Sequence, residues 1–96
     1  MEASKAMAQR PEIHVGQMMV TRHAPTAIRC KLYDNVYPNG RVLAMLEPGT
    51  DFGPVQEVRY VHPFLAVRVH AGWINVWRSH SRRQPSRGVH FAFVVS

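Results

Sequence analysis

The chain has 96 residues, is 46% hydrophobic and carries a formal net charge of +6, a size that makes one domain whose core supplies about 3 to 5 kcal/mol. Its single cysteine, Cys30, excludes an internal disulfide framework and a multi-thiolate zinc site. The charge is unevenly placed: up to Glu57 cations and acids balance, whereas Arg59, Arg68, Arg78, Arg82, Arg83 and Arg87 follow with no acid among them.

Residues 1–12 are small and polar, a composition that cannot bury itself, so a flexible N-terminal arm is expected there and residues 13–96 form the domain. The first residues lack the apolar core of a secretory signal and no run approaches membrane-spanning length. A soluble protein with no membrane contact, acting where it is made or carried in a particle, is the expectation. Ile13 to Arg22 carries Ile13, Val15, Met18, Met19 and Val20 around Gly16 and suits a strand better than a helix. After a break at His23-Ala24-Pro25-Thr26, Ala27 to Tyr33 alternates Ile28, Cys30 and Leu32 with Arg29, Lys31 and Tyr33, which points Cys30 inward.

A loop ending in Asn39-Gly40 predicts a tight turn with positive φ angles. Arg41 to Leu46 is the next strand, closed by a turn in which Pro48 fixes φ and Gly49 takes the left-handed position. Val55 to Val61 is a loosely amphipathic strand, and Phe64 to Val69 a cleaner one. A short break at His70-Ala71-Gly72 leads into Trp73 to Trp77. Arg78 to Gly88 is polar, basic and Ser-rich, a surface loop, and Val89 to Val95 ends the chain with Val89, Phe91, Phe93 and Val95 on one face. No helical period of useful length occurs, so the fold class is all-β: a small, strongly bent barrel of five to seven short strands.

Four pieces taken together, Gly40-Arg41-Val42-Leu43-Ala44-Met45-Leu46-Glu47-Pro48-Gly49-Thr50, Gly53-Pro54-Val55-Gln56-Glu57-Val58, Phe64-Leu65-Ala66-Val67-Arg68-Val69 and Gly72-Trp73-Ile74-Asn75-Val76, resemble bacterial SH3-like domains in order and spacing. Ala27-Ile28-Arg29 looks like that family's first strand, and the likeness covers roughly residues 27–77. Phe64 stands where the family often has Trp, and the final strand lies beyond a basic loop that the pattern does not require. The resemblance implies a five-stranded, strongly bent barrel with a non-enzymatic binding role of the kind found in cell-wall, intracellular and phage proteins.

Chemistry-bearing constellations are absent from the pattern. His14, His23, His62, His70, His80 and His90 are scattered without the close pairing of zinc sites, so neither a metal nor a cofactor is expected. Cys30 falls mid-strand on the apolar side, where it behaves as a small hydrophobe rather than a nucleophile. Asp34, Asp51 and Glu57 sit in separate elements and make no catalytic pair, and an enzyme is not expected.

Two candidate surfaces remain. Trp73 and Trp77, four apart on a strand, fall on one side, one in the core and the other free to line an aromatic groove with Tyr60 and Tyr37. The loop residues Arg78, Arg82, Arg83 and Arg87, with Arg68, make the anion, nucleic-acid or partner contact, since the guanidinium fork suits phosphates and carboxylates. The function expected first is a non-enzymatic SH3-like assembly module that docks to other protein subunits, as a homo-oligomer or as a small structural component of a larger assembly such as a phage particle. The alternative is a nucleic-acid-binding barrel that uses the basic loop, with cell-wall recognition a weaker third.

Overall fold

A computed structural model gives the fold and describes residues 9–23, 30–83 and 86–96. Every regular element among the described residues is a strand and every strand pairing is antiparallel, so the all-β class is what forms. The strands are β1 (Met19–Thr21), β2 (Cys30–Tyr33), β3 (Val42–Leu46), β4 (Asp51–Phe52), β5 (Glu57–Val61), β6 (Phe64–Val69), β7 (Gly72–Ser79), β8 (Gly88–His90) and β9 (Ala92–Val94). One sheet runs β3-β2-β7-β6-β5 with β8 added to β7, and a second runs β4-β1-β9.

β7 is the spine of the larger sheet. One edge pairs with β6 along almost its whole length; the other is shared, with Trp73 and Ile74 pairing to β2 and Trp77 to Ser79 pairing to β8. β8 and β9 are one run of chain bent at Phe91, whose N–H donates to the Val76 carbonyl at 2.8 Å before Ala92–Val94 cross over to pair with β1. That crossing closes the two sheets over a core that includes Met19, Val55, Leu65, Val67, Ile74, Val76 and Trp77. The bend, together with the short β4, is why the described residues form nine strands where five to seven were expected.

Several expectations change in detail. Of the strand read over Ile13 to Arg22 only Met19–Thr21 forms, because the chain turns at Val15-Gly16, where Gly16 has a φ of 94°. Gly49, with a φ of 77°, takes the left-handed position that its turn requires. Neither Asn39 nor Gly40 has positive φ. Asp34 closes their loop instead: its N–H donates to the Arg41 carbonyl at 3.0 Å and its Oδ1 accepts the Arg41 N–H at 2.7 Å. Gly40 is needed for room, since a Cβ there would collide with the Asn35 carbonyl oxygen.

The final strand does not bury the single face expected of Val89, Phe91, Phe93 and Val95: Phe91 packs against the core, but Val95 does not. Directly opposed residues of an antiparallel pair share a face, and Trp77, wholly buried, stands opposite His90. His90 is therefore buried; past the bend Ala92 is buried opposite the buried Thr21, and Val95 is exposed. The basic loop is also shorter than its composition suggests, because β7 runs on through Arg78 to Ser79 and β8 begins at Gly88. Of the expected arm, Gln9 bridges to Arg87 and the Arg10 N–H donates to the Ser86 carbonyl at 2.9 Å. Residues 1–8 of the arm, and the Ala27-Ile28-Arg29 piece of the resemblance, lie outside the described residues.

Candidate docking edge and aromatic groove

Trp73 and Trp77 do not share a face. β6 and β7 pair Ala66 with Asn75 and Leu65 with Trp77, which leaves Val76 as the extra residue of a β-bulge, and a bulge resets the alternation of side chains. Trp77 enters the core at 0% exposure. Trp73, at 8%, lies on the outer face, opposite Arg68 and beneath the Arg59 guanidinium, whose carbon is 5.4 Å from its ring centroid. Neither indole is presented to a groove. Tyr60 is also engaged: its ring lies under Arg10 at 4.3 Å and its hydroxyl meets His62 Nδ1 at 2.7 Å.

Of the expected cations, Arg68 is neutralised, with Nε donating to Glu57 Oε1 at 3.2 Å and Nη1 to Gln56 Oε1 at 2.6 Å. Arg59, and then Arg68, hold the Glu57 carboxyl below its ordinary value. Arg78, Arg82, Arg83 and Arg87 all belong to the β7–β8 hairpin and are exposed, and none of their side chains makes an ion pair among the described residues. Gln84 and Pro85 lie outside the described residues.

Tyr37 joins a groove that the sequence does not announce. Where β2 and β8 part along the shared edge of β7, Cys30, Lys31, Tyr33, Phe64, Asn75, Arg78 and Phe91 line a depression of about 240 Å³. It runs into a second, of about 170 Å³, bounded by Tyr37, Pro38 and Gly40 and sharing Tyr33, Phe64 and Asn75. Tyr37 meets Phe64 edge to face at 4.9 Å, and the Arg78 guanidinium stands 5.9 Å from the Phe64 ring. The lining holds two cations and no acid. Tyr33, Phe64 and Phe91 come from three elements far apart in sequence, so no local motif marks them.

The second feature is β3. It ends the larger sheet, and among the described residues no strand pairs with its outer edge. Val42 is 51% exposed, Leu43 55% and Met45 53%, in a five-residue strand, Val-Leu-Ala-Met-Leu, with no charge. Proteins ordinarily blunt such edges with charge or proline. The opposite end of the sheet, β5, is blunted in that way, with the Arg59 Nη2 to Glu57 Oε2 ion pair at 2.6 Å. The sequence signal at β3 was its unbroken apolar run, which leaves both faces of the strand in need of cover.

Burial pushes the Cys30 thiol up to about 11, only partly opposed by the backbone at Lys31, so the thiolate a nucleophile needs is scarce at neutral pH. Its Sγ faces the Asn75 carbonyl at 3.8 Å. Among the described residues no three His, Cys, Asp or Glu side chains gather as a metal site, and no helix is long and apolar enough to cross a membrane. Comparison with protein-family models, with curated proteins and with solved structures finds no match for the chain.

Proposed function

We propose that this chain is a non-enzymatic SH3-like barrel that acts as an assembly module, docking to other protein subunits as a small structural component of a larger assembly such as a phage particle. The observation that carries this reading is the outer edge of β3, uncharged, apolar on both faces and open among the described residues. An edge of that kind binds by adding a strand, with main-chain hydrogen bonds for affinity and side-chain burial for register. Leu43→Lys places a charge in the edge without touching the core. In extract of the native host, the wild-type chain should sediment well above its own 11.0 kDa, and the Leu43→Lys chain should return to the free position. A wild-type chain found free, or a variant that stays in the fast fraction, overturns the reading.

The acid-free aromatic groove supports a second reading, contact with single-stranded nucleic acid, with Tyr33, Tyr37 and Phe64 as stacking surfaces and Lys31 and Arg78 on phosphates. Affinity for a short oligonucleotide should fall steeply with salt, and Phe64→Ala should weaken it by about tenfold or more, the worth of one stacked base. Absence of binding at low salt, or binding indifferent to Phe64→Ala, removes this reading.

A further inference from the structure

We propose that the aromatic groove and the outer face of the β7–β8 hairpin form one track for single-stranded nucleic acid, with a base held over Asn75 and successive phosphates on Arg78 and Arg87. The inference rests on the second reading above and gives the bound strand its path.

The track follows from which side chains share a face. Trp73 lies on the outer face of the larger sheet, opposite Arg68, and Asn75, two residues on and opposite Ala66, keeps that face. The bulge at Val76 sends Trp77 inward, so Arg78, the next residue, returns to the outer face opposite Phe64. Beyond it the ladder pairs Arg78 with Val89 and Ser79 with Gly88, and the His80 N–H donates to the Arg87 carbonyl at 2.8 Å. One step along a strand turns the face over and two restore it, so Arg87 stands on the same face as Arg78, diagonally across the hairpin.

Diagonal neighbours of an antiparallel pair are about 7–8 Å apart, close to the step between successive phosphates of an extended single strand. The backbone of Arg87 is held from both sides, by His80 across the hairpin and by the bridge to Gln9, beside which the Arg10 N–H donates to the Ser86 carbonyl at 2.9 Å. A cation on so fixed a backbone gives up little chain freedom when an anion arrives.

In the groove, Asn75 is half-buried and lines both depressions, and its side-chain amide has no hydrogen-bond partner among the described residues. That amide offers a donor and an acceptor in one plane, the pair that the edge of a base matches. Tyr33 and Phe64 line the same two depressions. An acidic peptide would satisfy the cations alone. A nucleotide strand alternates a planar polar ring with an anion, which is the alternation that this face presents.

The test is salt-titrated binding of an oligothymidylate of about eight nucleotides to the full-length chain. Phosphate contacts from Lys31, Arg78 and Arg87 should give a slope of log affinity against log salt of about −2, at about 0.7 for each contact with a single strand. Arg87→Ala should flatten the slope by about 0.7 and Arg87→Lys should restore it. Arg22→Ala removes the same charge just past β1, in the second sheet, and should leave the slope unchanged. Asn75→Leu should weaken binding about tenfold with the slope kept, because the contact it removes is uncharged. If Arg87→Ala behaves as Arg22→Ala does, or Asn75→Leu binds as the wild type does, while Phe64→Ala still weakens binding, the path is overturned and the groove reading stands. No binding at low salt, or displacement of the oligonucleotide by polyglutamate of matched charge at equal concentration, overturns both.

Discussion

His90 is a residue whose role follows from its place rather than its type. Opposite Trp77 in the β7–β8 ladder and stacked on Phe93 at 5.2 Å, it is buried with neither ring nitrogen in a hydrogen bond of good geometry among the described residues. Burial lowers its pKa from the ordinary 6.5 and the charge of Arg22 lowers it further, while the backbone near Gln9 and Ala92 opposes the shift. The folded state thus binds fewer protons than the unfolded one, so this contribution to stability is complete above 6.5 and is lost as pH falls through 6.5 towards the lowered value. His90→Phe keeps the stack and removes the titration. Between about pH 7.5 and about pH 5.5, the window in which an ordinary histidine charges, the melting temperature of the wild type should fall more than that of the variant. Parallel curves for the two proteins would show that His90 does not couple folding to pH. The sequence marked His90 only as one of six scattered histidines, because its burial is decided by the residue across the ladder and not by its neighbours in the chain.

At the scale of elements, strands that are dense apolar runs bounded by turn signals were legible. β3, β6 and the start of β7 lie where Arg41 to Leu46, Phe64 to Val69 and Trp73 to Trp77 were expected. Alternation failed at breaks in register. The bulge at Val76 sends Trp77 into the core and leaves Trp73 on the outer face, although a spacing of four predicts one side for both. The pairing with Trp77 likewise turns His90 inward, against a hydrophobic pattern that favoured its apolar neighbours. A one-residue shift exchanges the two faces of a strand, and nothing local in Trp73-Ile74-Asn75-Val76-Trp77 reports that shift. The candidate sites follow the same rule. The cation-bearing hairpin was legible as composition, whereas the groove of Tyr33, Phe64 and Phe91 exists only because β2 and β8 diverge along β7.

For the whole molecule, the decisive step is closure. Without β9 the larger sheet would stand over an open core, and β1 would keep only its two register pairs with β4, Met19 to Phe52 and Val20 to Asp51. β9 adds three more, Met19 to Val94, Val20 to Phe93 and Thr21 to Ala92, and brings the buried Ala92 against the core that contains Met19. In a domain of this size total stability is a few kcal/mol, so losing one wall of the core is comparable with the whole of it. A chain ending at His90 should therefore lose its cooperative thermal transition and expose apolar surface, read by circular dichroism and by binding of a hydrophobic dye. Val94→Ser, which alters an exposed residue of the same strand, should change stability by no more than about 0.5 kcal/mol. The contrast separates closure from composition: if the shortened chain still melts sharply, the larger sheet is stable on its own and β9 only caps it. If it does not, the six residues after His90 hold the two sheets together.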